Sequence, residues 1–241
     1  MTGFPANAHR ACPTPTYGLI GSGKMARHMR HYLQLLGHSF YTWSREEGPA
    51  NLEKLRNASV LLLLIKDSEI ESFYKEHSFV NSKPCIHFSG SMNVPGVPSF
   101  HPLCTFGDEL YTLAEYEKIA FICEEGAPAF EETFPRLPNP HYTIKPEQKA
   151  LYHALCVMAG NFSCILWQKL FSDFENKLGL PTSAAVPYME RLFKNLEKNP
   201  STALTGPLQR NDITTLQSNI NALNDDSYQK VYKSFVELFQ P

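Results

Sequence analysis

The feature that most restricts how this chain can fold is a short run, Gly21-Ser22-Gly23-Lys24-Met25-Ala26, set between an apolar segment and a helical pattern. Before it, "TYGLI" reads as a short strand. After it, "MARHMRHYLQLLG" reads as a helix with Met25, Met29, Tyr32, Leu33 and Leu36 on one side and Gly37 as its cap. The G-x-G-x-x-A spacing between strand and helix has a physical use. The first glycine makes the tight turn, the second lets a pyrophosphate approach the backbone, and the small third residue lets the helix pack on the strand. Free N–H groups at the helix start then face the phosphates. The plain alternative is a glycine turn that binds nothing.

Downstream, short apolar runs alternate with helical stretches, the pattern of parallel βαβ units. "SFYTW" is the next strand, "NLEKLRNA" a short helix, and "SVLLLLI" an unbroken apolar strand of the kind buried on both faces of a parallel sheet. A helix after Asp67 carries Ile70, Phe73 and Tyr74; "CIHFSGS" gives a strand and its loop, and "IAFIC" completes this half. From Pro146 to Leu178 one long helix is expected, with Pro146 in its first turn and Gly179 ending it. It is apolar on two sides, with Leu151, Leu155, Met158 and Phe162 heading one stripe and Cys156, Gly160 and Cys164 the other. A helix apolar all round is buried all round, so a second subunit is expected to cover it, making a homodimer. Further helices follow over Pro187–Lys198, Asp212–Leu223 and Ser227–Phe239. The fold class is therefore α/β: a loose extension over 1–16, an N-terminal Rossmann parallel sheet over 17–145, and a C-terminal all-helical domain over 146–241.

Charge and cysteine usage narrow the partners. With 22 basic and 24 acidic residues and no run of one sign, the chain has no footprint for tracking a phosphate backbone, so no nucleic acid is expected. The six cysteines lie apart, without C-x-x-C pairs or zinc spacing, so no metal is expected and the thiols read as free in a cytoplasmic setting. The first residues lack the apolar core of a signal peptide. No unbroken apolar run approaches the roughly 20 residues of a membrane span. A small-molecule substrate is the expected partner.

An acid at the end of the second strand would grip the ribose hydroxyls of NAD and repel an added 2'-phosphate. Here "YTWSR" places Ser44 and Arg45 at that point. Arginine meets a phosphate with bidentate, charge-assisted contacts, so the pair favours NADP(H); the bland reading is a solvated loop arginine. The same arginine argues against a methyltransferase using S-adenosylmethionine, which would want an acid there. Ligands of open α/β sheets bind beyond the carboxyl ends of the strands. That rule selects the hydroxyl-rich turn Ser89-Gly90-Ser91, which otherwise is a β-turn for local reasons. It also selects His101, whose backbone Pro102 restricts. Lys149, His153 and Asn161 share one broad face of the long helix. Arg210, in a polar loop between apolar helices, reads as an anion clamp, while Asp212 beside it reads as a helix cap.

The run "YGLIGSGKMARHMRHYLQLLGHSFYTWSR" resembles the N-terminal Rossmann domain of the 6-phosphogluconate dehydrogenase-like superfamily, which includes pyrroline-5-carboxylate and ketopantoate reductases. "HFSGS", "SFHPLCTF" and "ALTGPLQRND" resemble, in order, the family whose C-terminal half is the DUF2520 domain. The resemblance implies an NADP(H)-dependent oxidoreductase acting on a small carbonyl, imine or hydroxy compound. Gly21, Ser22, Gly23, Lys24, Met25, Ser44, Arg45, Ile65 and Lys66 would hold the cofactor, and Ser89, Gly90, Ser91 and Arg210 the substrate. His153, Asn161, His101 and Lys149 would be the catalytic set, since superfamily reductases use a Lys or His with an Asn on the corresponding helix. The chain departs from the pattern at Lys66, at Cys104 where Gln is usual, and at Asn211 where Gly is common. The alternative is a nucleotide-binding sensor that kept the fold and lost catalysis.

Overall fold

The computed structural model describes residues 14–239; most of the expected N-terminal extension lies outside them. The chain divides into two compact units, one ending at Ser163 and one beginning at Cys164.

In the first unit, β1 (Tyr17–Ile20) leads through the glycine run into α1 (Lys24–Leu35). α1 closes as expected. The amides of Gly37 and His38 donate to the Gln34 and Leu33 carbonyls, with Gly37 in the left-handed region at φ +69°. β2 (Phe40–Trp43) follows; the short helix expected at "NLEKLRNA" is a 3-10 helix over Pro49–Asn57. Next come β3 (Val60–Leu63), α2 (Asp67–Glu76), α3 (Ser78–Asn81) and β4 (Cys85–His87). These four strands form a parallel sheet in the order β2-β1-β3-β4. Leu61, Leu62 and Leu63 are all buried, so β3 is covered on both faces as its unbroken apolar sequence requires.

The remainder of the unit departs from the expected parallel alternation. β5 (Phe100–Pro102), α4 (Leu113–Tyr116), β6 (Phe121–Glu124), α5 (Phe130–Thr133) and β7 (His141–Ile144) add a second sheet of order β5-β6-β7. "IAFIC" is indeed a strand, β6, but it runs antiparallel to β5. An isolated parallel bridge between His87 and Ser99 joins the two sheets. β5 was not visible in the sequence because it is three residues long and ends in proline, which cannot donate to a ladder.

The long helix begins with a 3-10 turn at Pro146–Gln148, continues as α6 (Lys149–Cys156), widens into a π segment over Val157–Phe162, and resumes as α7 (Ser163–Leu178). Gly179, at φ +64°, ends it. Over its full span of 33 residues the helix is long and apolar enough to cross a membrane by length and composition. The sequence shows no unbroken apolar run here, because polar residues such as Asn161 and Ser163 interrupt the stretch.

The second unit holds α7, α8 (Val186–Lys198), α9 (Gly206–Gln209), α10 (Ile213–Ala222) and α11 (Tyr228–Phe239). Asp226 and Asp173 bind Lys169 and Lys177, tying the start of α11 to α7. Leu216 and Val236 are buried, yet Tyr188, Phe193, Ile213 and Phe235 remain exposed.

Candidate functional site

The first unit gathers its polar side chains at the carboxyl edge of the parallel sheet, where each strand hands over to its loop. After β1, Gly21 sits at φ +133°, and a Cβ there would lie 2.2 Å from the Leu64 carbonyl oxygen, so the backbone just after β3 leaves room only for glycine. A Cβ on Gly23 would meet nothing within 4 Å. That open side, at the start of a helix with no side-chain cap and no acid in its first turn, fits a pyrophosphate. Met25 and Ser22 flank it, and the Ile65 side chain packs toward Gly21. Two cations border the loop. Lys24 pairs with Asp108 at 3.2 Å, and Arg45, whose side chain is 85% exposed, pairs with Glu69 of α2 at 2.8 Å. Ser44 caps the short 3-10 turn that presents Arg45, with Glu47 returning to the Ser44 amide at 3.1 Å. Lys66, exposed, precedes α2.

After β4 the chain turns through Ser89-Gly90-Ser91. The Ser89 hydroxyl donates to Asp67 at 2.6 Å and accepts from the amides of Ser91 and Met92 at 3.3 and 3.1 Å. It is fully used in building the turn. The Ser91 hydroxyl is only 3.5 Å from Asp67, a weak contact that leaves it available to a ligand. Beneath the turn, His87 accepts from the Ser89 amide at 3.2 Å through Nδ1, while its buried Nε2 has no partner among the described residues. Burial, with the Lys149 ammonium nearby, pushes its pKa down to about 3 and keeps it neutral.

Two imidazoles close on Gly90. A Cβ at residue 90 would lie 2.9 Å from His153 Cδ2 and 3.1 Å from His101 Nε2, so His101 of β5 and His153 of α6 both face this backbone. The rings are 6.4 Å apart between centroids. His101 Nδ1 shares a 2.6 Å hydrogen bond with the Tyr152 hydroxyl, which fixes the ring. Burial pushes the His101 pKa down to about 4, helped by His153 and Lys149 against the opposing pull of Asp67. It is therefore neutral at physiological pH.

Lys149 lies near both His87 and His101 but is otherwise engaged. Lys149 is 2% exposed, and its ammonium donates to the Met92 carbonyl, to Ser99 Oγ at 2.7 Å and to Glu124 at 2.7 Å. With its three donors taken, it holds α6 to the sheet and has no proton to spare for a ligand. Asn161 lies exposed in the π segment without a side-chain hydrogen bond among the described residues. Arg210 ends α9 in the second unit, exposed, and Asp212 caps α10 by accepting from the Thr215 amide at 3.1 Å. Sequence reasoning missed Asp67 and Tyr152 as site members. Asp67 was legible as the first residue after the β3 loop, whereas nothing in the sequence marks Tyr152 apart from its place beside His153.

Residues 120–238 match a family model described as a domain of unknown function, DUF2520. The chain carries a DUF2520 domain. That match takes in β6 and β7 of the first unit and runs through α7, α8, α9 and α10 to the last turn of α11. No curated protein matches the sequence. Among solved structures, a candidate NADP oxidoreductase from Bacteroides fragilis is similar at 21% identity and TM-score 0.72, covering 93% of this chain and 97% of that one. An imine reductase from Myxococcus stipitatus, solved with NADP+, is 13% identical at TM-score 0.60, with 93% of each chain covered. A 1-pyrroline-5-carboxylate reductase from Streptococcus pyogenes is 14% identical at TM-score 0.56, covering 93% and 96%. At such identities the likeness establishes the fold: this DUF2520 protein shares the architecture of NAD(P)-dependent oxidoreductases.

Proposed function

We propose that this DUF2520 protein is an NADP(H)-dependent oxidoreductase that moves a hydride to or from a small carbonyl, imine or hydroxy compound. The observation that carries the reading is the convergence, at one sheet edge, of an open glycine loop with two imidazoles packed on a Ser-Gly-Ser turn. Gly21, Gly23 and the first turn of α1 would hold the pyrophosphate, and Arg45 the 2'-phosphate. The nicotinamide, when bound, supplies the hydride chemistry. The protein's own part is to orient and to move one proton. Ser91 and the Gly90 backbone position the substrate, His101 is held neutral and fixed by Tyr152, and His153 remains as the imidazole placed to carry the proton.

The test is calorimetric titration with NADPH and NADH, repeated on Arg45→Ala. NADPH affinity is expected to fall about tenfold or more in the variant, toward that of NADH, which itself changes little. Binding of neither nucleotide by the unaltered protein would leave the loop as a mere turn and overturn the reading. We also infer that a second copy covers the long helix, where Leu151, Leu155, Met158 and Phe162 are each more than half exposed. Light scattering is expected to give the mass of a dimer, and a stable monomer would refute it.

A further inference from the structure

Two of the cations at the dinucleotide edge, Lys24 and Arg45, are already paired with carboxylates. Lys24, in the glycine loop, is paired with Asp108, and the Arg27 guanidinium donates to the Asp108 backbone carbonyl, which fixes that acid beside the start of α1. Arg45 is paired with Glu69, one turn into α2. The two carboxylates come from different elements and serve different cations, and each is bonded to a cation that an incoming phosphate would also use. A surface ion pair of this kind is weak, able to change an affinity by up to about fivefold without blocking it.

The consequences of the two pairs differ. Any dinucleotide carries a pyrophosphate, so an acid beside Lys24 penalises NADH and NADPH alike. Only NADPH carries the 2'-phosphate, so an acid on Arg45 penalises NADPH selectively. A carboxylate in that position also repels the 2'-phosphate directly and can accept from ribose hydroxyls, which again favours the cofactor lacking the phosphate. All three effects of Glu69 have the same sign.

We propose that Glu69 is a specificity-determining residue that holds back the preference for NADPH by competing for Arg45, while Asp108 lowers affinity for both dinucleotides by competing for Lys24. The inference rests on the dinucleotide-binding reading above. It places the setting of cofactor choice in α2, outside the loop that follows β2.

The experiment compares calorimetric Kd values for NADPH and NADH on the unaltered full-length chain, Glu69→Gln and Asp108→Asn. Glu69→Gln is expected to tighten NADPH about three- to fivefold and leave NADH unchanged or slightly weaker, raising the NADPH preference. Asp108→Asn is expected to tighten both by a similar factor and leave the preference where it was. Circular dichroism melts of both variants check that the fold persists; both carboxylates lie at the surface, and Glu69→Asp, which keeps the charge, should retain the original preference. Overturning results are an unchanged or reduced NADPH preference in Glu69→Gln, or Asp108→Asn altering the preference as strongly as Glu69→Gln. If the unaltered chain binds neither nucleotide, the functional reading itself fails, a result distinct from binding that ignores Glu69.

Discussion

Lys149→Met is expected to destabilise the protein by about 3–5 kcal/mol, because it removes one member of a buried ion pair and leaves the other. Glu124, with its side chain 15% exposed, would lose its cation, and Ser99 Oγ and the Met92 carbonyl would lose a donor. The double variant Lys149→Met/Glu124→Gln should recover a substantial part of the loss, since no uncompensated charge remains. Urea unfolding of both variants measures this directly. A drop below about 1 kcal/mol for the single variant would mean that the ammonium is not locked against the sheet.

His153→Gln is expected to lower turnover by about 10²–10⁴-fold, the usual worth of a positioned proton carrier, while NADPH affinity stays within about twofold. The measurement is oxidation of NADPH in the presence of a panel of cyclic imines and small oxo acids, beside a binding titration. His101→Asn should cost less, because a neutral ring tied to Tyr152 orients its surroundings rather than delivering a proton. Turnover within tenfold of the original in His153→Gln would remove that residue from the proton path. Cofactor binding with no turnover in any form of the protein would instead favour the sensor alternative.

The glycine loop was legible because tight turns and close approaches permit few residue types, and the structure gives Gly21 a steric reason that any such sequence carries. The parallel strands were legible because a strand buried on both faces must be apolar throughout. β5 and β7 were not, since their pairing is set by strands distant in the chain and their own composition is mixed. The π segment over Val157–Phe162 was not legible either, since its residues would suit an unbroken α-helix equally well. The site's charges were the least legible part. A lysine in a list of candidate catalysts looks like any other until its three partners are known, and the partners of Lys149 come from three separate stretches of chain.

The crowding around Gly90 also bears on how the protein can be adapted. With less than 3.2 Å between a would-be Cβ and both imidazoles, even alanine must displace a ring, so the chain has no smaller residue to retreat to and no larger one to try. On the proposed reading, in which this turn positions the substrate, selection for bulkier substrates would have to leave this residue as glycine or move a ring. Ser91, half-buried and loosely bonded, is the nearest position on the turn where side-chain volume can be traded.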